Sequence, residues 1–115
     1  MGSKTCIQNS IELHLQTLDA SLEYLPIDTS LIAYELILLV MLHFSRGTSL
    51  PLKVIFANKN FTEMGARYHL TRLIKNEWMK SEQSPNDLRV KVIKPMPKLI
   101  LAFEVFLKKS TLKLS

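Results

Sequence analysis

Four polar residues in one short stretch have the types and spacing to bind a polyanion: Arg67, Tyr68, Thr71 and Arg72. In a helix, residues three or four positions apart lie on one face, so these four would share a surface. Arginine and threonine on such a surface can donate to base edges and phosphates in the major groove of DNA. We therefore predict a DNA-binding face here, to which Lys75 would add a phosphate contact.

A second basic set lies in segment 88–94, where apolar and basic residues largely alternate. Alternation with a period of two is typical of a β-strand, and it would place Arg89 and Lys91 on one face and Lys94 on the other. Arg89 would enter a minor groove or bind phosphate. Lys94, together with Lys53 from an earlier segment, would neutralise phosphates.

Two N-terminal segments have apolar residues at helical spacing. In the first, Asn9 is a candidate N-cap, and apolar residues then recur every three or four positions until Pro26. The second would begin after Asp28 or Thr29 and end at Gly47, where glycine can adopt the left-handed conformation that closes a helix. Because this second helix is apolar nearly all round, we expect it at the centre of the fold.

Two further helices would carry the basic residues. A short one is predicted over 51–57, with Ser49 as its cap and Pro51 in its first turn. After a turn at 58–60, a longer helix would begin at the cap Thr62. Its buried stripe would consist of Ala66, Leu70, Leu73 and Ile74, which leaves the polar set described above on the outward face.

The chain beyond this helix has the pattern of a β-hairpin. A first strand is predicted near 78–82, a dense turn signal follows at 84–87, and the returning strand covers 88–94 and ends at Pro95. A last helix would follow over 98–109. The order of short helix, turn, longer basic helix and hairpin is typical of a winged helix-turn-helix. We therefore predict a mainly α fold with a small β-hairpin wing.

Length and charge agree with this assignment. With 115 residues, of which 47% are hydrophobic, the chain suits a single domain. Within 1–115 we expect a dimerisation helix over 1–27, a winged-helix core over 28–95, and a C-terminal helix with a basic tail over 96–115. Residues 1–46 hold two Lys/Arg and five Asp/Glu, a net charge of −3, whereas residues 47–115 hold thirteen and five, a net charge of +8. This asymmetry indicates a polyanionic partner for the second half.

The region around the predicted wing resembles the MarR-type winged-helix regulators of bacteria and archaea. The resemblance covers about residues 50–100 and rests on 71–79, on Asp87-Leu88-Arg89 and on Met96-Pro97-Lys98. It implies that Asp87 helps to hold the wing and that Arg89 reaches toward DNA. It also implies dimerisation through helices from both termini. Glu77 departs from the pattern, because the family usually has glycine there.

Catalysis and metal binding are not indicated. We find no nucleophile with a neighbouring base, no acid-base pair and no glycine loop for phosphate, so we predict that the chain is not an enzyme. The three histidines, His14, His43 and His69, lack the spacing of metal ligands, and no metal or cofactor is predicted. We expect the lone thiol of Cys6 to be incidental rather than a redox sensor.

The sequence also bears on compartment. A single cysteine and an N-terminus without the pattern of a secretory signal favour the cytoplasm. The longest apolar stretch, 36–42, is much shorter than the ~20 residues that a membrane-spanning helix needs. We therefore predict a cytoplasmic protein without a membrane partner.

Together these patterns predict a sequence-specific double-stranded DNA-binding protein that acts as a dimeric transcriptional regulator. The homodimer would bury the last helix and an apolar stripe on the first, formed by Ile11, Leu15, Leu18, Leu22 and Leu25. The alternatives are a winged-helix module that docks an acidic protein, or a plasmid or phage accessory factor in replication, partition or transfer. MarR-type proteins often bind small aromatic effectors, for which Tyr24, Tyr34 and Phe44 are candidates, although all three also suit the core.

Overall fold

The computed structural model describes residues 2–111, with side chains from 5 to 110, and within them the chain is mainly helical with a small antiparallel sheet. The elements in order are α1 (Gly2–Tyr24), α2 (Leu31–Ser45), β1 (Leu50–Pro51), α3 (Leu52–Phe56), α4 (Glu63–Lys75), β2 (Met79–Gln83), β3 (Lys91–Pro95) and α5 (Pro97–Thr111). The predicted fold class, a helical protein with a hairpin wing, is confirmed.

The sheet contains one strand that the sequence did not predict. Its order is β1-β3-β2, so β3 lies between the short β1 and the wing strand β2. Ile93 of β3 is opposite both Leu50 and Ser81. A strand of two residues is too short to show alternation, and for that reason β1 was missed.

The returning strand of the wing hairpin starts later than predicted and ends where predicted. β3 begins at Lys91 rather than at residue 88, and residues 84–90 form the tip. Pro95 ends the strand, as predicted: it is the last residue of β3 and lies opposite Met79. The next amide, that of Met96, donates to the carbonyl of Trp78 over 2.9 Å and closes this end of the hairpin.

Helix starts account for most of the other corrections. α1 begins at Gly2, so Asn9 is inside a helix and is not its cap. α2 is capped by Ser30, whose Oγ accepts from the amide of Ala33 over 3.2 Å. The helix thus begins after Asp28 and Thr29, as predicted, and the φ angles of these two residues, +49° and +60°, keep them outside it.

Two predicted helix ends are confirmed and one is wrong. Thr62 caps α4, since its Oγ1 accepts from the amide of Gly65 over 3.0 Å, and Gly47 has the left-handed φ of +73° after α2. α3 starts at Leu52, one residue after its predicted first residue, and its N-cap is Pro51, which makes no side-chain capping bond. Ser49 therefore lies outside this helix, ahead of β1.

α2 lies at the centre of the core, as predicted. Leu36 and Ile37 are fully buried, and the same hydrophobic cluster includes residues of α1, α3, α4, the sheet and α5. α2 is not covered on every side, however, because Leu31, Leu38 and Leu42 are exposed. α1 packs along α5, and the molecule is elongated, with extents of 56 × 28 × 25 Å.

Candidate nucleic-acid interface

α4 is positioned by a buried inner face. Ala66, Leu70 and Leu73 belong to the core, and Ile74 packs against it. The first turn lies so close to α2 that a Cβ on Gly65 would be 2.8 Å from Ile32 Cδ1. Glycine thus permits a close approach that fixes where α4 begins, and the opposite face of the helix must point outward.

The outward residues of α4 form a shallow depression, which we call the α4 face. It consists of Met64, Arg67, Tyr68, Thr71, Arg72 and Lys75, all of them exposed. The structure therefore brings together the five α4 residues selected from the sequence. The sequence analysis missed Met64, which is 82% exposed, because a methionine at the start of an amphipathic helix carries no charge signal.

Arg67 is held by two contacts. Its Nη2 donates to Oε1 of Glu63, one turn earlier, over 2.9 Å. Its guanidinium also lies over the ring of Phe56 on α3, 4.5 Å from the ring centre. Both contacts leave Arg67 exposed, so its remaining N–H groups can reach a ligand.

Arg72 is tied to a residue far away in the chain. Its Nη1 donates to Oδ2 of Asp28, in the turn between α1 and α2, over 3.2 Å. The guanidinium also stands 5.8 Å from the ring centre of Tyr68. Hydrogen bonding to Asp28, and then to Tyr68, raises the pKa of Arg72 above its usual value, so its charge is fixed.

His69 adds a second contact between α4 and the same turn. Its Nε2 lies 3.1 Å from Oγ of Ser30, the cap of α2. Burial lowers the pKa of His69, and the nearby charge of Arg72 lowers it further, while Asp28 opposes the change. The imidazole therefore favours its neutral form at neutral pH.

Behind these contacts is a pocket of about 270 Å³ that reaches to Trp78 and Asn76. The aromatics suggested for an effector do not line it. Tyr34 packs edge-on against Phe106, Tyr24 packs against the core, and Phe44 is exposed.

The wing tip carries Arg89, with a side chain that is 92% exposed. The prediction that Arg89 and Lys91 share a face of one strand is wrong, because Arg89 lies in the tip before β3 begins. Oδ1 of Asp87 accepts from the Arg89 amide over 3.0 Å and from its Nε over 3.3 Å. Asp87 thereby links the backbone and the side chain of the tip, whereas Lys91 is exposed on the strand.

The other predicted phosphate ligands are lysines, and they differ in whether a nearby carboxylate neutralises their charge. Lys94 Nζ lies 3.0 Å from Glu82, which also pairs with Lys80 at 2.8 Å, and these two lysines lower the pKa of Glu82. Lys53 on α3 is exposed. Among the side chains of residues 5–110, Lys53, Lys75 and Lys91 form no ion pair with a carboxylate.

The described residues show neither a membrane-spanning helix nor a metal-binding cluster. Within residues 2–111 no helix is both long and apolar enough to cross a membrane. In that same range, no three His, Cys, Asp or Glu side chains are grouped so that they could hold a metal ion.

Comparisons with known proteins support the fold. No protein-family model and no curated protein matches the sequence. Among solved structures, the transcriptional regulator Tm0710 from Thermotoga maritima superposes with a TM-score of 0.73 at 8% identity, covering 99% of this chain and 77% of that one. A mutant of S. aureus MepR bound to an oligodeoxyribonucleotide gives 0.70 at 16% identity, with coverages of 94% and 75%.

A mutant of MarR from E. coli is similar over the whole of this chain and 85% of its own, with a TM-score of 0.55 at 15% identity. At such identities the similarity concerns the fold. It confirms that the chain has the winged helix-turn-helix architecture of these regulators, as the residues around the wing indicated.

Proposed function

We propose that this chain, which has the fold of the MarR-type regulators, binds double-stranded DNA sequence-specifically as a homodimer and regulates transcription in the cytoplasm. The observation that carries the proposal is the α4 face, where two arginines, a threonine and a tyrosine stand outward on a helix with a buried inner side. A helix presented in this way fits the major groove, which is about 12 Å wide.

In this proposal each element has a separate task. Arg67, Tyr68, Thr71 and Arg72 read base edges, and the wing residues Arg89 and Lys91 bind the flanking backbone or minor groove. The lysines at 53, 75 and 94 neutralise phosphates. Asp87 supports the wing through its bonds to Arg89.

Every arginine of the site is paired with a carboxylate. The pairs are Arg67 with Glu63, Arg72 with Asp28 and Arg89 with Asp87. All three pairs are exposed to solvent, where ion pairs contribute little to stability. DNA can therefore exchange the carboxylate of Glu63 or Asp87 for a phosphate at small cost, whereas Arg72 uses one nitrogen for Asp28 and has further N–H groups for a base edge.

The proposed homodimer rests on an exposed apolar surface, which we call the α1 stripe. Its members, each 45–59% exposed, are Ile7, Ile11, Leu15, Leu18 and Leu22. Leu25, which the sequence analysis placed in this stripe, is buried in the core instead. Apolar surface of this extent along one helix is typical of an interface. Two-fold pairing would set two α4 helices roughly 34 Å apart, one turn of DNA, so we expect a palindromic site.

The test is a fluorescence-anisotropy titration against a random duplex of about 30 base pairs at about 50 and 200 mM salt. We compare the wild type, an Arg72→Glu variant and a charge-matched control, Arg46→Glu, which reverses an exposed cation just after the end of α2. We expect salt-sensitive binding, with a slope of about −0.9 per phosphate contact, that the first variant abolishes and the control retains.

If neither the wild type nor the control binds any duplex at low salt, the DNA-binding proposal fails. The basic face would then be assigned to the alternative function, docking of an acidic protein surface.

A further inference from the structure

We propose that Asp28 is a specificity-determining residue: it holds Arg72 in position for a base edge and disfavours its use as a general phosphate ligand. The inference rests on the proposed function and adds a role for a residue outside the helix-turn-helix. It follows from three observations: an ion pair across 44 positions of sequence, a turn with an unfavourable backbone conformation, and a second contact beside the first.

The turn that carries Asp28 adopts a conformation that its residues disfavour. Asp28 and Thr29 both have positive φ, and for a β-branched residue such as Thr29 this is a genuine outlier. Such conformations persist only where the surroundings impose them, and they often mark functional positions. Here the two residues with positive φ are flanked by the buried Ile27 and the cap Ser30. The amide of Ser30 donates to the carbonyl of Ile27 over 2.7 Å and closes the turn.

The turn is also fixed relative to α4. Ser30 lies 3.1 Å from His69, and Asp28 lies 3.2 Å from Arg72, one helical turn further along. Two contacts at this spacing on one side of α4 define the distance and the rotation between turn and helix. The carboxylate of Asp28 is therefore held at the edge of the α4 face rather than placed there by a flexible side chain alone.

The geometry of the pair leaves most of the guanidinium available. Arg72 uses one of its five N–H donors for Asp28, and Tyr68 lies beside the same group. A bidentate contact with guanine needs two coplanar donors in a fixed orientation. An arginine anchored at one nitrogen loses less conformational entropy in forming that contact than an unanchored one.

The negative charge of Asp28 has the opposite effect on phosphate. In non-specific complexes the attraction to phosphate provides almost all of the affinity, so a carboxylate on Arg72 weakens it. Specificity is the ratio of the affinity for the specific site to the affinity for non-specific DNA. Asp28 would raise this ratio in two ways, by strengthening the first affinity and by weakening the second.

The test uses Asp28→Asn, because asparagine removes the charge but tolerates positive φ as aspartate does. A site is first selected from a random-sequence duplex pool with the wild-type protein. Affinities for that site and for a scrambled duplex are then measured by anisotropy over a range of salt. The charge-matched control is Glu23→Gln, which removes an exposed carboxylate from α1.

For Asp28→Asn we expect binding to the scrambled duplex to strengthen about threefold, with a salt slope steeper by about 0.9. We also expect the ratio of specific to scrambled affinity to fall about tenfold, which corresponds to ~1.4 kcal/mol. In an Arg72→Gln background, Asp28→Asn should change affinity no more than Glu23→Gln does, because the group that it positions is absent.

An unchanged affinity ratio, or a change equal to that of Glu23→Gln, would overturn the inference and leave Asp28 a structural residue. A lower melting temperature with an unaltered salt slope would have the same meaning. Failure of the wild type to select any site would instead count against the proposed function itself.

Discussion

The α1 stripe and the α4 face are both exposed, but they differ in chemistry and in how they are held. The α1 stripe presents only aliphatic side chains, whereas the α4 face presents cations that are each met by a carboxylate or left open to solvent. Apolar burial is insensitive to salt at ordinary concentrations, while phosphate binding weakens steeply with it. The two surfaces should therefore be separable by mutation and by salt.

The largest effect is expected from Leu15→Glu in the middle of the α1 stripe. A charge that cannot be buried should convert the proposed dimer into monomers. Affinity for a palindromic duplex should then fall by about 100-fold or more, because the second half-site no longer binds at a high effective concentration. Sedimentation velocity and anisotropy measure the two consequences.

Asn9→Glu, at an exposed position of the same helix outside the α1 stripe, should change neither property. Retention of a dimer by Leu15→Glu would show that the α1 stripe is not the interface. Retention of full palindrome affinity by a monomeric variant would remove the link between the two surfaces.

A smaller effect is expected from Met64→Ala on the α4 face. Its side chain precedes Arg67 and Tyr68 at the start of the helix, the end that enters the groove in helix-turn-helix proteins. An apolar group there suits the methyl group of thymine. The loss should be about fourfold, equivalent to about 0.8 kcal/mol for one buried methyl contact.

Replacement of single thymines by uracil in the selected site provides the matched control for Met64, because uracil lacks only the methyl group. One substitution should weaken wild-type binding about fourfold and have no further effect on Met64→Ala. If every uracil substitution weakened the binding of Met64→Ala as much as it weakened wild-type binding, Met64 would not contact a thymine methyl group.

The two surfaces also differ in what the sequence could predict. Periodicity located α2 and α4, and a cap signal located the start of α4 at Thr62, since both depend on residues close in sequence. The pairing of Arg72 with Asp28 joins residues 44 positions apart. No local pattern encodes such a contact, and the positive φ of Thr29, a residue that rarely adopts it, gave no signal.

Wing details were less predictable for a related reason. Segment 88–94 alternates as a strand does, but the hairpin closes through the bonds of Ser84 with Val90 and of Val90 with Asp87. These bonds take Arg89 out of the ladder and into the tip. The alternation in sequence shows which residues are apolar, but the geometry of the tip determines which residues pair in the β-ladder.

A stabilising change is expected at Glu77, in the link between α4 and the wing. Its φ is +64°, a left-handed conformation that favours glycine, the usual residue at this position of the MarR-type regulators that the wing region resembles. Glu77→Gly removes the cost of a left-handed side-chain-bearing residue but adds unfolded-state entropy, and the net gain should be about 0.5 kcal/mol. Urea denaturation measures it.

DNA affinity should not change in Glu77→Gly, because the residue lies beyond the α4 face. The matched control is Glu77→Ala, which also removes the carboxylate but keeps a Cβ and should not be more stable. A gain of the same size in both variants would assign the effect to charge rather than to backbone conformation.

The smallest effect is a dependence of stability on pH that arises on the α4 side alone. The pKa of His69 in the folded chain lies below the ordinary value of 6.5, mainly through burial and then through Arg72. As pH falls through 6.5, the unfolded chain takes up a proton before the folded one, so the stability of the folded chain must decrease.

The melting temperature should therefore be lower at about pH 5.5 than at about pH 7.5, and His69→Gln should reduce that difference. His14→Gln, on the exposed surface of α1, should preserve it. A pH dependence that survives in His69→Gln would have to come from another group, and the contact between His69 and Ser30 would then carry no proton linkage.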